Sequence, residues 1–250
     1  MKWFAIGVLA AALSACVTAH QADSRTHVIN QTLTSTVQLF DLRKDGAHRA
    51  GSGVVLGPAR NPDFTLVLTT KHLLTPVIEQ TVMVMDPLWR KQVIAKIVAI
   101  SDEHDLALLE VGGGLTLTPV AFKTRARLGD PIWVVAFPWG RRRTIVSGVV
   151  SQIAWDKGEH SEVPIEGPVK LVDAPVSYGT SGGGIYDATT GGLLGLVRGY
   201  RSAELAVPGS ESAVLKIPVA GETTVVSTED IHRFLKAQNL EYLFDQSGEF

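Results

Sequence analysis

A serine lies inside a run of glycines at residues 178–186, "YGTSGGGIY". A hydroxyl becomes a nucleophile when three kinds of group surround it. A base must take its proton, a carboxylate must orient that base, and N–H donors must meet the developing oxyanion. Glycines on both sides of Ser181 allow tight, positive-φ turns and close approach of a substrate. The N–H groups of Gly179 and Ser181 can then converge on one oxygen. The base must come from seven histidines. His20 and His27 fall in a polar N-terminal stretch, His48 in the polar turn "KDGAHRA", and His160 in a charged loop. His232 sits on the outer side of a C-terminal helix, and His104 among acids in "SDEHDL". His72 differs: it follows the strand-like "FTLVLTT" and opens a short apolar turn, "KHLL", so the core can fix it while its ring faces a cleft. Asp105 opens the apolar run "LALLEV", and a carboxylate at the mouth of a buried strand is costly unless paired. An imidazole would pair it. Along the chain the order is His72, Asp105, Ser181.

These three residues span more than a hundred positions, so the elements between them must bring them together. The body of the chain reads as short strands rich in Val, Ile and Thr, among them "STVQLFDL", "GSGVVL", "QVIAKIVAI", "IWVVAF" and "GLLGLVRGY". Turn-rich pieces such as "GPARNPD" and "DKGEHSEVPIEGP" separate them, which predicts an all-β barrel or sandwich rather than a parallel α/β sheet. Two helices are expected. One is a turn near Lys71–Leu74. The other starts in "STEDIHRFLKAQ", where Ser227 caps, Asp230 lies in the first turn, and Ile231, Phe234 and Leu235 share a face. Little chain follows it. The tip "GRRRT" at 140–144 reads as a solvated hairpin end, Trp139 as a core-edge or contact residue, and "RSAELAVPGSES" as a surface loop.

The chain has 250 residues, 45% of them hydrophobic, which suffices for one large or two small domains. A formal net charge of −2 gives no reason to expect a nucleic-acid partner. The single cysteine excludes an intramolecular disulfide. It ends "MKWFAIGVLAAALSAC", in which Lys2 precedes an apolar run too short to span a bilayer. Residues 1–15 therefore read as a signal peptide. The small residues before Cys16 resemble a bacterial lipobox, which implies cleavage there and lipid on the Cys16 thiol. Residues 16–32, with no clear period, are expected to be a flexible tether. Val17, where an aspartate is absent, favours the outer membrane by resemblance to enterobacterial sorting.

Five stretches in order resemble the trypsin-like serine proteases, and among them the HtrA/Deg type: "GSGVVLG", "LVLTTKHLL", "DLALLEV", "GDPIWVVAFPWG…TIVSGVVSQI" and "LVDAPVSYGTSGGGIYD…GGLLGLV". The similarity runs from about residue 35 to 236. It implies a chymotrypsin-like fold of two packed six-stranded β-barrels with a C-terminal α-helix. The first barrel is expected over about 33–124, the second over about 128–226, and the helix over about 228–238, all within a protease domain at 33–250. The resemblance carries the base onto His72, the orienting acid onto Asp105, the nucleophile onto Ser181, and the oxyanion donors onto Gly179 and Ser181. Pro175, Val176, Tyr178, Gly195, Val197 and Arg198 are expected to wall the substrate pocket. Pro175 at its base argues against a basic P1 residue; a small or medium apolar P1 is expected, with Arg198 as a possible partner for an acidic one. No metal or organic cofactor is implied. The expected activity is endopeptidase cleavage of envelope or periplasmic proteins from a lipid anchor facing the periplasm. A catalytically silent, peptide-binding lipoprotein and an esterase are the rival readings. Thr180 where the family has Asn or Asp, Gly184 where it often has Pro, and Lys71 before the histidine are departures. No PDZ domain is expected after the helix.

Overall fold

Alternating and continuous apolar runs give fourteen strands among the described residues, and twelve of these close into two barrels. The computed structural model describes residues 24–44, 46–77, 80–86, 91–113, 115, 117–154, 165–206 and 214–245. Residues 1–15 and Cys16 lie outside the described residues. The first barrel has the strand order β1 (Thr36–Arg43), β2 (His48–Pro58), β3 (Phe64–Thr69), β6 (Ala107–Gly112), β5 (Gln92–Ile100) and β4 (Gln80–Met85). The second runs β11 (Val169–Asp173), β14 (Val214–Ser227), β13 (Leu193–Ala206), β12 (Gly184–Asp187), β8 (Pro131–Ala136) and β9 (Thr144–Ile153). β7 (Ala126–Arg127) and β10 (Glu166–Gly167) form a small separate pair. All ladders in the barrels are antiparallel, and closure leaves few unpaired edges.

Each barrel fills its own interior. Val37, Leu39, Val67, Leu74 and Leu109 pack in the first, and Ile132, Val134, Val172, Ile185 and Val197 in the second. A third cluster, with Leu68, Leu108, Phe122, Tyr186 and Leu196, lies between the barrels and under α3 (Thr228–Ala237). Burying one such side chain contributes about 1.5–3 kcal/mol, so three continuous clusters hold the two barrels as one body. In α3 the Ser227 hydroxyl accepts from the Asp230 N–H, Glu229 and Asp230 occupy the first turn, and Ile231, Phe234 and Leu235 are buried. The face and the cap agree with the sequence pattern. A last turn, α4 (Tyr242–Asp245), follows.

The tether expected over 16–32 is corrected where the chain is described. Residues 24–34 form a helix, α1. It buries only Val28 and Thr32 fully, too narrow a stripe to give a visible period. Its hydroxyls bond back to its own turns: Thr32 Oγ1 to Ile29 O (2.9 Å) and Thr34 Oγ1 to Asn30 O (3.0 Å). Arg25 lies over the Trp133 ring of β8, 5.0 Å from its centroid, and α1 then runs into β1, so it straps one barrel to the other. Of the stretch expected as a surface loop, residues 201–206 instead belong to β13, which pairs with β14 in a hairpin of two 14-residue strands, and residues 207–212 lie outside the described residues. Among the described residues no helix is long and apolar enough to cross a membrane.

Candidate active site

His72 is the second residue of α2 (Lys71–Leu74), the single helical turn that leaves the end of β3. The Asp105 carboxylate grips it twice. Oδ1 accepts the His72 backbone N–H at 2.9 Å, and Oδ2 lies 2.7 Å from Nδ1. A carboxylate oxygen only accepts, so Nδ1 carries the hydrogen and Nε2 presents its lone pair outward. The imidazole is 48% exposed and the carboxylate 13%. Burial pushes the Asp105 pKa up, but the hydrogen bonds and charge of His72, with a smaller contribution from Arg198, outweigh it and hold the group below the ordinary carboxylate value.

The turn itself is anchored from three sides. Arg49 Nη1 donates to both His72 O and Thr75 O at 2.8 Å, satisfying carbonyls at the end of α2. Lys71 Nζ donates to Ser101 O at 2.7 Å, tying the turn to the loop that carries Asp105. Gly51 of β2 lies directly under the Leu73 side chain, where a Cβ has no room.

Ser181 sits on the loop from β11 to β12. Its own hydroxyl makes no hydrogen bond among those of the described residues; backbone bonds fix the loop. The Gly182 N–H donates to Val197 O and the Val197 N–H to Gly183 O, both at 2.9 Å. The Ser52 N–H of β2 donates to Ser181 O at 2.9 Å. Gly182, with φ +79°, rests against Ser52 O and Thr69 Oγ1, so no side chain fits there. Thr69 is three residues before His72. The loop of the second barrel is thus seated on the strand ends of the first that carry the histidine.

The N–H donors depend on one peptide. Tyr178 O accepts the Trp139 N–H at 2.7 Å. A trans peptide points its C=O and N–H to opposite sides, so the Gly179 N–H faces away from Trp139. Neither Gly179 N nor Ser181 N donates to another group among the described residues, which leaves both free for a ligand oxygen. Gly179 has φ +88°, and a Cβ there would meet Trp139 N at 2.7 Å and Phe137 O at 2.8 Å. Its carbonyl accepts Ser52 Oγ at 3.0 Å, and Ser52 Oγ in turn accepts the Phe137 N–H at 2.9 Å. Trp139 is held with φ 57°, a left-handed conformation that costs roughly 1–2 kcal/mol for a residue with a side chain. Its ring is 65% exposed and lies beside the ring of Tyr178, itself 52% exposed, so it is not a core-edge residue.

The two departures around the serine have local explanations. Thr180 is buried, and its hydroxyl and its N–H both donate to Ser177 O, at 2.6 and 3.1 Å, closing the turn within the loop. Gly184 makes room for the Tyr186 ring, whose hydroxyl reaches Thr36 Oγ1 at 2.9 Å.

The pocket residues are not one group. Pro175, Val176 and Tyr178 line the loop before the serine, with Pro175 and Tyr178 exposed. The Val197 side chain packs inside the second barrel, so only its backbone borders the loop. Gly195 is pressed against Val226 of β14. Arg198, 62% exposed, directs its guanidinium to Asp105, with Nε 3.7 Å from Oδ2. Ser52, Arg49 and Trp139, which the sequence pattern left without roles, hold the serine loop, the histidine turn and the Tyr178 peptide respectively. The signal for Ser52 is a serine between two glycines in mid-strand, a poor strand former placed where backbones approach closely. Among the described residues no cluster of His, Cys, Asp and Glu could hold a metal ion.

The comparisons agree with the two-barrel fold. Residues 51–196 match the model of the trypsin-like peptidase domain. The chain is 29% identical over 166 residues to the periplasmic pH-dependent serine endoprotease DegQ of Escherichia coli, covering 65% of this chain and 32% of that one. It is 29% identical over 148 residues to a probable periplasmic serine protease of Haemophilus influenzae, covering 58% and 30%. The chain therefore spans about a third of the length of these curated relatives. Among solved structures, the active form of the Mycobacterium tuberculosis protease Rv3671c aligns over 84% of this chain and 82% of its own, with TM-score 0.62 and 22% identity. A serine endoprotease from Yersinia pestis aligns over 88% and 66%, with TM-score 0.61 and 19% identity. With its chymotrypsin-like pair of barrels and more than half its length matched, this chain belongs to the family of trypsin-like peptidase domains, with HtrA/DegQ-like proteases among its relatives.

Proposed function

We propose that this protein is a serine endopeptidase whose triad is His72, Asp105 and Ser181. The observation that carries the reading is the double grip of Asp105 on His72, at 2.9 and 2.7 Å, beside a serine loop with two unengaged N–H groups. Ser181 Oγ attacks the peptide carbonyl carbon while its proton passes to His72 Nε2. The negative charge on the carbonyl oxygen is met by Gly179 N–H and Ser181 N–H. The C–N bond then breaks, and His72 gives its proton to the leaving amine. Water, deprotonated by His72, attacks the acyl ester, and the C–O bond to Ser181 breaks to release the carboxylic acid and restore the hydroxyl. Asp105 keeps the ring in place and stabilises the imidazolium.

The proposed setting is the bacterial envelope, with residues 1–15 as signal peptide, lipid on Cys16, and the domain facing the periplasm. It is supported by the leader pattern and by the periplasmic location in the names of the relatives. Residues 17–23 are the only chain between Cys16 and the described start of α1. At full extension they reach roughly 25 Å, so a lipid on Cys16 would keep the domain close to the bilayer.

The test is fluorophosphonate labelling of the full chain in detergent, with the adduct mapped by mass spectrometry, alongside cleavage of a peptide library. One adduct on Ser181, absent in Ser181→Ala, with peptide turnover lowered on the order of 10⁴-fold in Asp105→Asn, is the expected result. A folded protein that takes no label and cleaves no peptide would overturn the reading and leave the peptide-binding alternative. Turnover of simple esters without peptides would point to an esterase.

A further inference from the structure

The peptide that frees the Gly179 N–H is held by a backbone N–H of the loop between β8 and β9. Residues 137–143 leave β8, make a 3₁₀ turn at Pro138–Gly140, and enter β9. Trp139 and Gly140 both have positive φ, 57° and 60°. The Trp139 side chain is largely in solvent, and the turn meets the first barrel through Gly140, which lies against Ala50 and Phe40. Inside the loop the Gly140 N–H donates to Phe137 O (3.0 Å) and the Arg141 N–H to Pro138 O (3.1 Å). Its near end is tied to Ser52 through the Phe137 N–H. Its far end enters the β8–β9 ladder at Thr144, opposite Ala136, and the residue before it ties the loop to α1. Arg143 Nη1 donates to Leu33 O at 2.6 Å.

Leu33 is in the last turn of α1, where carbonyls have no helical partner and attract a cation. The Arg143 guanidinium is half-buried; burial lowers its pKa, and the charge of Asp86 acts in the opposite sense. Contacts therefore run without a gap from α1 through Arg143 to the turn, from Trp139 N to Tyr178 O, and so to the Gly179 N–H.

We infer that Arg143 is a positioning residue that couples the docked N-terminal helix to the oxyanion donors, so that cleavage requires α1 in place. The inference rests on the serine-protease reading above. Without the Arg143 tie, the turn can relax from its left-handed conformation, the Trp139 N–H leaves Tyr178 O, and the Tyr178–Gly179 peptide can rotate its carbonyl toward the substrate oxygen. Nothing in the Asp105–His72 pair changes. Because α1 is described from residue 24, eight positions after Cys16, a pull or displacement at the N-terminus would reach the active site by this route.

The experiment compares full-length wild type with Arg143→Ala, Arg143→Lys and Val28→Glu, the last placing a carboxylate at a buried contact of α1. Folded fraction is read by circular dichroism, active fraction by burst titration, and kcat and KM with a peptide substrate. Arg143→Ala is expected to lower kcat and the rate of Ser181 labelling about 10- to 100-fold with KM within about twofold. Lysine, which offers one donor to the same carbonyl, is expected to restore part of the loss. Val28→Glu should lower kcat to a similar extent, and the double variant should be no slower than either single one, because both break the same connection. Arg143→Ala at wild-type kcat overturns the coupling, as does a loss explained by a smaller folded fraction working at the wild-type rate. Additive losses in the double variant overturn it too. If wild type itself neither labels at Ser181 nor cleaves peptide, the protease reading fails first, and that outcome is distinct from a wild type and Arg143→Ala that react alike.

Discussion

Replacing Ser52 by alanine tests how the serine loop is built. Ser52 is fully buried in β2, and its hydroxyl joins the loop of Gly179 to the loop of Phe137 by two hydrogen bonds. Alanine fits the same space and leaves the Ser52 N–H on Ser181 O and the Ser52 carbonyl under Thr69 Oγ1 (2.7 Å). What is lost is the acceptor for the Phe137 N–H and the donor for the Gly179 carbonyl. A buried polar group left without a partner costs about 1–3 kcal/mol. Two such groups, in a region where neighbouring backbone can relax, give an expected destabilisation of about 2–4 kcal/mol. The effect on catalysis is separable. Removing an oxyanion donor outright costs about 10²–10³ in kcat; here the donor is kept but loosened, so about 10- to 100-fold is expected, with KM little changed. Urea denaturation gives the first number. Steady-state kinetics and fluorophosphonate labelling, at a temperature where the variant is fully folded, give the second. A destabilised variant with kcat within threefold of wild type would show that the Ser52 N–H and the Gly182–Val197 pairing suffice to aim Gly179. A variant neither destabilised nor slowed would refute the reasoning altogether.

Two further outcomes follow from the same geometry. Trp139→Gly should leave kcat within about threefold and the melting temperature within a few degrees. The backbone N–H of Trp139, which glycine keeps, bonds to Tyr178 O, and glycine relieves a left-handed conformation while adding freedom to the unfolded chain; a fall of more than tenfold would assign the holding to the indole ring beside Tyr178. Asp187→Asn should lower stability by about 2 kcal/mol at pH 7, since its buried carboxylate accepts Lys123 Nζ (2.6 Å), Thr189 N (2.9 Å) and Thr190 N (2.8 Å). Burial raises the Asp187 pKa, but the Lys123 and backbone hydrogen bonds outweigh it and lower it overall. A carboxylate with a folded pKa below its unfolded value of about 3.9 contributes stability above that pH and loses it as pH falls through the folded value. The gap between wild type and variant in urea midpoint should therefore close below about pH 4, and a gap unchanged at pH 3 would refute the role of the charge.

The fold and the His72–Asp105 contact were legible because each leaves a local trace. Strands of Val, Ile and Thr between turn residues mark the barrels. Ser227 with Asp230, and Ile231 with Phe234 and Leu235, mark α3. A carboxylate at the mouth of an apolar run marks Asp105, and the structure sets it on His72. The helix over 24–34 left no such trace, because a strap that buries one narrow stripe has no amphipathic period, and its threonines bond to its own carbonyls.

The supports of the site were illegible for a different reason. They are bonds from a side chain to a distant backbone atom: Ser52 to Gly179 across 127 positions, Arg143 to Leu33 across 110, Arg49 to His72 across 23. A backbone carbonyl looks the same under every residue type, so nothing at the accepting position records the contact. Arg198 makes the point from the other side. By family pattern it belongs to the pocket wall, yet the β13–β14 register shifts between Val197 and Gly199, which leaves Arg198 as the extra residue of a bulge. A bulge re-aims its side chain, and this one turns the guanidinium to Asp105. One unpaired position in the strand thus turns Arg198 from the expected pocket wall to the carboxylate that grips His72.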